Sequence, residues 1–358
     1  MTDKIRILVA DDSALMRRTL TRLIERDPEL EVIATARDGE DVVTKARQLR
    51  PDVITMDINM PKCDGITALQ QIVEESICAV VMVSSLTHKD AVTTFEALEL
   101  GAFDYVLKPE GTVSSNLGAV EAELIAKLKF AASSQSVRKL ARRHIPRDPA
   151  TVIPATAVPA PICKPVKNAF GYKAVAIGIS TGGPSTLSEF LPLLPRDLPA
   201  ALFLVQHMPA RFIPAFAERL DRSSQIRVVA AESGMTVEAG TCYVAKGDCQ
   251  LGLLHRMNGE VVIRTPQFPK TLFMPSVSEM MRSVHAVYGP ETIGVLMTGI
   301  GDDGADMMVR IRESGGLTIA ESDETAVVFG MPRKAIEMGG AQVIAPSFRI
   351  AEELLKAF

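Results

Sequence analysis

In the second half of this chain a serine, a histidine and a pair of carboxylates each stand just past an apolar run. Gly178-Ile-Ser180-Thr-Gly182 closes the run Ala174–Ile179. A run of that length ending in glycines predicts a buried strand feeding a tight turn, and Pro184 suits the first turn of a following helix. Ser180 would then sit at a strand's carboxyl end, in the G-x-S-x-G pattern of a nucleophile elbow. The same residues also describe a plain strand–helix turn with a capping serine. A dinucleotide fingerprint is the weaker match, because Ser180 takes its second glycine position.

A nucleophilic serine needs a base and a carboxylate to orient it. His207 directly follows the run Ala201–Gln206, the same kind of position that Ser180 holds. His255 falls in a hairpin-like segment and His285 inside a helical pattern, where a half-buried structural histidine is the default. Thr298-Gly-Ile-Gly-Asp-Asp-Gly304 follows the run Ile293–Met297 and offers Asp302 and Asp303 at a helix start. Asp197, Asp221 and Asp248 sit in less suitable contexts. The order Ser…His…Asp differs from the Ser…acid…His of the α/β-hydrolases. That fold is excluded, and its chemistry is kept.

The first half holds a different chemistry. Asp11 and Asp12 follow one apolar run, Asp57 ends another, Ser84 a third, and Lys108 a fourth before Pro109. Three carboxylates in one pocket would repel one another, so a hard divalent cation is expected there, Mg²⁺ above others. A hydroxyl and an ammonium beside a metal-bound carboxylate can hold phosphate oxygens.

These positions require strands that end together. Apolar runs at Ile5–Ala10, Leu30–Ala36, Asp52–Asp57, Ala79–Ser84 and Phe103–Leu107 recur roughly every 25 residues, which suits five βα units. Right-handed crossovers make them a parallel sheet with helices on both faces. In the flavodoxin-like order, the site lies where strands one and three meet. Residues 132–170, with Arg138-Lys-Leu-Ala-Arg-Arg-His144 and then Pro146, Pro149, Pro154, Pro159, Pro161 and Pro165, read as an extended linker. Residues 171–358 read as a second, doubly wound α/β unit, with short strands around 226–264 forming hairpins added to a mostly parallel sheet. The fold class is therefore α/β throughout, with domains at 1–131 and 171–358.

At 358 residues two domains are natural, and 47% hydrophobic with 5% aromatic residues is a globular composition. A formal charge of -4 argues against a nucleic-acid binder. The N-terminal apolar run is too short for a signal peptide and no run reaches a membrane span. Five scattered cysteines show no zinc spacing or disulfide framework, so a reducing cytoplasmic compartment is expected.

The first half resembles the receiver domains of two-component response regulators, through Asp11-Asp12-Ser13, Met56-Asp57-Ile-Asn-Met-Pro61, Ser84 and Lys108-Pro109. The resemblance implies Asp57 as phosphoacceptor, Asp11 and Asp12 as metal ligands with it, and Ser84 and Lys108 as the groups that sense the phosphoryl. Tyr105 matches the family's switch aromatic, and a packed rim aromatic is the competing reading. With Ile179-Ser-Thr-Gly-Gly-Pro184, Val205-Gln-His-Met-Pro209, Phe216-Ala-Glu-Arg-Leu220, Thr298-Gly-Ile-Gly-Asp-Asp-Gly-Ala305 and Val328-Phe-Gly-Met-Pro-Arg333, the whole chain resembles the chemotaxis protein-glutamate methylesterase family. The resemblance implies a triad of Ser180, His207 and Asp303, with a backbone oxyanion donor near Ile300. It implies hydrolysis of glutamate 5-methyl esters and deamidation of glutamines on chemoreceptors, without a cofactor for the hydrolysis. It also implies a histidine kinase as phosphodonor, and Mg²⁺ for phosphorylation.

Two stretches depart from the family. Ala245-Lys-Gly-Asp-Cys-Gln250 stands where Ala-Pro-Gly-Asp-x-His is common, and Phe273-Met-Pro-Ser-Val-Ser278 where His-Arg-Pro-Ser-Val-Asp is common. If Lys246, Gln250, Phe273 and Met274 line the cleft, substrate choice is altered. The alternatives are a regulator whose second half binds a partner without catalysis and, less favoured by the charge, a DNA-binding output. A receiver ahead of a hydrolase further predicts that phosphorylation uncovers the rim holding Ser180.

Overall fold

The computed structural model describes residues 4–85, 88–109, 117–133 and 170–358. The expected linker lies outside them except for its end residues, and so does its basic patch. The described residues fall into two units, one before and one after the linker.

In the first unit, β1 (Ile5–Ala10), β2 (Leu30–Ala36), β3 (Val53–Asp57), β4 (Ala79–Ser84) and β5 (Asp104–Leu107) form a five-stranded sheet in the order β2-β1-β3-β4-β5. Every ladder is parallel. This is the flavodoxin-like order. Helices α1 (Ala14–Ile24), α2 (Gly39–Leu49), α3 (Gly65–Glu74), α4 (His88–Glu99) and α5 (Leu117–Ala132) connect and follow the strands. Side chains start three of them: Ser13 caps α1, Asp38 caps α2 and Asp64 caps α3, each accepting from an amide of its helix's first turn. The β1–β3 ladder pairs Ala10 with Met56, so Asp11 and Asp57 come next on adjacent strands. The β4–β5 ladder pairs Ser84 with Leu107, which brings Lys108 to the same edge.

The second unit has seven parallel strands in the order β14-β13-β12-β6-β7-β9-β8. They are β6 (Lys173–Ile179), β7 (Ala200–Gln206), β8 (Arg227–Ala230), β9 (Thr241–Val244), β12 (Thr292–Leu296), β13 (Thr318–Glu321) and β14 (Val343–Ala345). β7 and β12 are buried along their whole length, which explains their unbroken apolar sequence: both faces are covered. The described helices are α6 (Gly183–Phe190), α7 (Ile213–Ser223), α8 (Val277–Tyr288), α9 (Ala305–Glu313), α10 (Met331–Glu337) and α11 (Ser347–Leu355). Strand order reverses between β6 and β12, and the crevice for a ligand opens beyond their carboxyl ends.

The hairpin expectation over 226–264 needs a correction. Only β10 (Gly252–His255) and β11 (Val261–Arg264) make a hairpin, and it is a separate two-stranded sheet. β8 and β9 pair in parallel inside the main sheet. The loop between them is long enough to carry the chain back without a helix. It also pairs with β11, through Gly234 N–H to Ile263 O at 2.9 Å and Val237 N–H to Val261 O at 2.8 Å.

Candidate active site and receiver site

Ser180 is the first residue past β6, and His207 the first past β7. The ladder pairs Ile179 with Gln206, so the two follow a register pair on neighbouring strands. Gln206 locks this corner: its Nε2 donates to Ser180 O at 3.0 Å and to His207 O at 3.1 Å. On the other side, Ser180 N–H donates to Thr298 O at 2.9 Å. Thr298 is itself fixed by its amide donating to the buried Glu321 at 2.8 Å and its hydroxyl to Thr181 O at 2.9 Å. Gly182 takes φ +77° at the head of α6, with Val327 packed where a side chain would go. At Gly299 an added Cβ would come within 2.8 Å of Ser180 Cβ, so only glycine lets the β12 loop pass the serine this closely.

The carboxylate that reaches the histidine is Asp303. His207 Nε2 lies 3.0 Å from Asp303 Oδ2. The same oxygen accepts from Val277 N–H at 2.7 Å, while Oδ1 accepts from Ser278 N–H and Ser276 Oγ, both at 2.9 Å. Val277 and Ser278 open α8, so the carboxylate sits on the positive end of a helix. Burial works to raise the Asp303 carboxyl. The hydrogen bond and charge of His207, with the two amides, outweigh it and lower the group to about 2. Asp302 is exposed and carries no side-chain bond among the described residues. The other ring nitrogen, His207 Nδ1, is buried without a partner. His255 and His285 are elsewhere: His255 meets the Phe170 ring edge-on, and His285 Nδ1 lies 3.0 Å from Gly289 O at the end of α8. The Ile300 amide is bonded to no described residue. An open pocket of about 480 Å³ beside this group is lined by residues including Phe273, Ser276, Asp302 and Asp303.

Sequence reading missed Ser276 and Ser278. Ser276-Val-Ser-Glu279 is a capping-box spacing, and Ser276 does cap α8. That signal marks the helix start, but the carboxylate it holds comes from a distant loop. The departures also fall differently than expected. Lys246 is exposed, whereas Gln250 is buried at 3% exposure, with both ends of its amide bonded to protein. Gln250 therefore does not line the cleft. Phe273 does, stacked on the His207 ring.

At the receiver edge, ligand oxygens of Asp11, Asp12 and Asp57 lie within 4.8 Å of one another. Lys108 Nζ is 3.0 Å from Asp11 Oδ2 and 2.8 Å from Asp57 Oδ2. One ammonium is shared by two of the three carboxylates, and the exposed Asp12 stands outside the pairing. Burial pushes the Asp57 carboxyl up, Lys108 opposes this, and the Asp11 charge adds to it. An all-oxygen set with surplus negative charge fits a hard divalent cation. Ser84 Oγ accepts from Thr94 Oγ1 at 2.9 Å. Tyr105 is buried at 5% exposure, with Lys127 donating to its carbonyl.

Residues 175–354 match the CheB methylesterase family and residues 7–114 the response regulator receiver domain. The chain is 54% identical, over 99% of both chains, to protein-glutamate methylesterase/protein-glutamine glutaminase 3 of Syntrophomonas wolfei. The chain belongs to the CheB methylesterase family. A second CheB-family relative, protein-glutamate methylesterase/protein-glutamine glutaminase 2 of Carboxydothermus hydrogenoformans, is 48% identical over 99% of each chain. The solved CheB methylesterase catalytic domain of Thermotoga maritima is 40% identical, with a TM-score of 0.51, and covers 52% of this chain and 99% of that one. No described helix is long and apolar enough to cross a membrane.

Proposed function

We propose that this chain hydrolyses glutamate 5-methyl esters, and deamidates glutamines, on the cytoplasmic helices of chemoreceptors, under control of phosphorylation by a histidine kinase. It is an ester and amide hydrolase with a receiver: 1–131 receives the phosphoryl group, 171–358 catalyses, and 132–170 links them. The compartment is the cytoplasm, where kinase and receptor helices meet.

Ser180 Oγ attacks the side-chain carbonyl carbon as its proton passes to His207 Nδ1. The same proton then leaves with methanol or ammonia, and water repeats the cycle on the acyl-enzyme. Asp303 holds the imidazole by Nε2 and stabilises its cation. The Ile300 amide faces the developing oxyanion. The observation that supports this most is a histidine bonded at one nitrogen to a stripped-down carboxylate and left with a buried, unpartnered second nitrogen. In the receiver, Asp57 accepts the phosphoryl group, Asp11 and Asp12 would hold Mg²⁺ with it, and Ser84 and Lys108 face the phosphoryl oxygens. Bound Mg²⁺ would neutralise charge on the carboxylates and the incoming phosphate. The hydrolysis itself uses the chain's own side chains and backbone amide.

The test is methanol release from a methylated receptor. Ser180→Ala is expected to abolish it while leaving the fold and melting temperature intact. Full activity in that variant would refute the assignment.

A further inference from the structure

Gln250 and Phe273 lie in the two stretches that the sequence reading set apart, and the structure joins them. The Gln250 side chain is buried. Its Oε1 accepts from Ser276 N–H at 2.8 Å, and its Nε2 donates to Pro269 O at 3.0 Å and Thr271 Oγ1 at 2.8 Å. Thr271 in turn donates its hydroxyl to Phe273 O. One buried amide thus ties both ends of the segment 269–276. From one end, Ser276 Oγ reaches Asp303. From its middle, the Phe273 ring lies on the His207 imidazole, centroids 4.1 Å apart and planes 10° from parallel.

The imidazole has a single side-chain hydrogen bond, at Nε2. A ring pinned at one nitrogen can still swing about its bond to the chain, which would carry Nδ1 away from a serine. A flat partner against its face removes that swing. The same face attracts the ring once it has taken a proton, because the aromatic quadrupole is negative above the ring plane.

We infer that Phe273 is a positioning residue for His207, and that Gln250 is the brace that holds Phe273 on the imidazole and Ser276 on Asp303. The inference rests on the reading of His207 as general base. It turns a departure that suggested altered specificity into a second way of supporting the same catalytic pair.

The experiment measures kcat and KM of the full chain on a methylated chemoreceptor fragment, with proton NMR of the histidine ring. In the unaltered protein, ring current from Phe273 is expected to move the His207 carbon-bound protons upfield. Phe273→Leu should return them toward ordinary positions and lower kcat roughly tenfold with KM nearly unchanged. Phe273→Tyr should keep both the shift and the rate. Gln250→Leu should lower kcat, and adding Phe273→Leu to it should cost less than the sum. An unshifted His207 signal in the unaltered protein, an unimpaired Phe273→Leu, or Phe273→Tyr as slow as Phe273→Leu would each overturn the inference. His207→Gln separates the two levels. If it is inactive while Phe273→Leu is not, only the positioning role falls. If it keeps full activity, the general-base reading falls first.

Discussion

Both units keep aspartates at the carboxyl ends of parallel strands, but they treat them in opposite ways. Asp303 takes four hydrogen bonds, from His207, Ser276, Val277 and Ser278, and is lowered to about 2. Asp57 shares one lysine with Asp11 beside an exposed Asp12, and burial raises it. The first carboxylate is finished within the chain, and is held ionised and still. The second is left short of positive charge, which is what the proposed uptake of a cation and a phosphoryl group requires. How completely a buried carboxylate is satisfied separates a strut from a receptor site.

The comparison breaks most visibly at the strut. Asp303→Asn should lower the methanol-release rate by roughly four powers of ten, since an amide favours the wrong imidazole tautomer. Asp302→Asn should change it little, and the reverse ranking would show that the wrong carboxylate is credited. At the receptor site, Asp57→Asn should abolish stimulation by a small-molecule phosphodonor. Removing that charge should also raise the first unit's melting temperature by a few degrees, whereas Asp303→Asn lowers that of the second. Calorimetry with excess Mg²⁺ and then chelator should move the first transition up and back, and leave the second in place.

The pH dependence sharpens the contrast. Asp303 is lowered from 3.8 to about 2. Its contribution, on the order of 2 kcal/mol, is therefore full above the unfolded value and lost as pH falls through the folded one. Asp57 is raised, so ionising it costs more in the folded state than in the unfolded chain. Its contribution is present at low pH and lost as pH rises from 3.8 toward the raised value. Denaturant titration of Asp303→Asn and Asp57→Asn against the unaltered chain should give difference curves of opposite slope in acid. Parallel curves would remove the distinction.

The five receiver strands were legible because each apolar run ends at a chemically distinct residue, and Asp57, Ser84 and Lys108 punctuate them. β8 and β9 were misjudged because glycine-bounded short strands usually turn back on themselves, and a crossover without a helix leaves no helical period to read. Around His255 only a hairpin-like segment could be read, without bounds for β10, because Gly252–His255 is too short and too exposed to show a pattern. Ser180 and His207 could be read from strand ends, but the choice of Asp303 over Asp302 came from family likeness. Its physical basis, the amides of α8, belongs to a segment about 25 residues earlier whose approach only the fold reveals. Gln250 was misread for a similar reason. A glutamine looks like a surface or cleft group until its three partners are known.

Ser276 serves two masters. Its hydroxyl accepts from Glu279 N–H to cap α8 and donates to Asp303. The amides of Val277 and Ser278 likewise belong to the helix's first turn and spend their hydrogens on the same carboxylate. Unwinding that one turn would release the carboxylate from all three donors at once. Hydrogen–deuterium exchange at Val277 and Ser278 therefore becomes a clock for how often the proposed catalytic pair comes apart, readable without substrate.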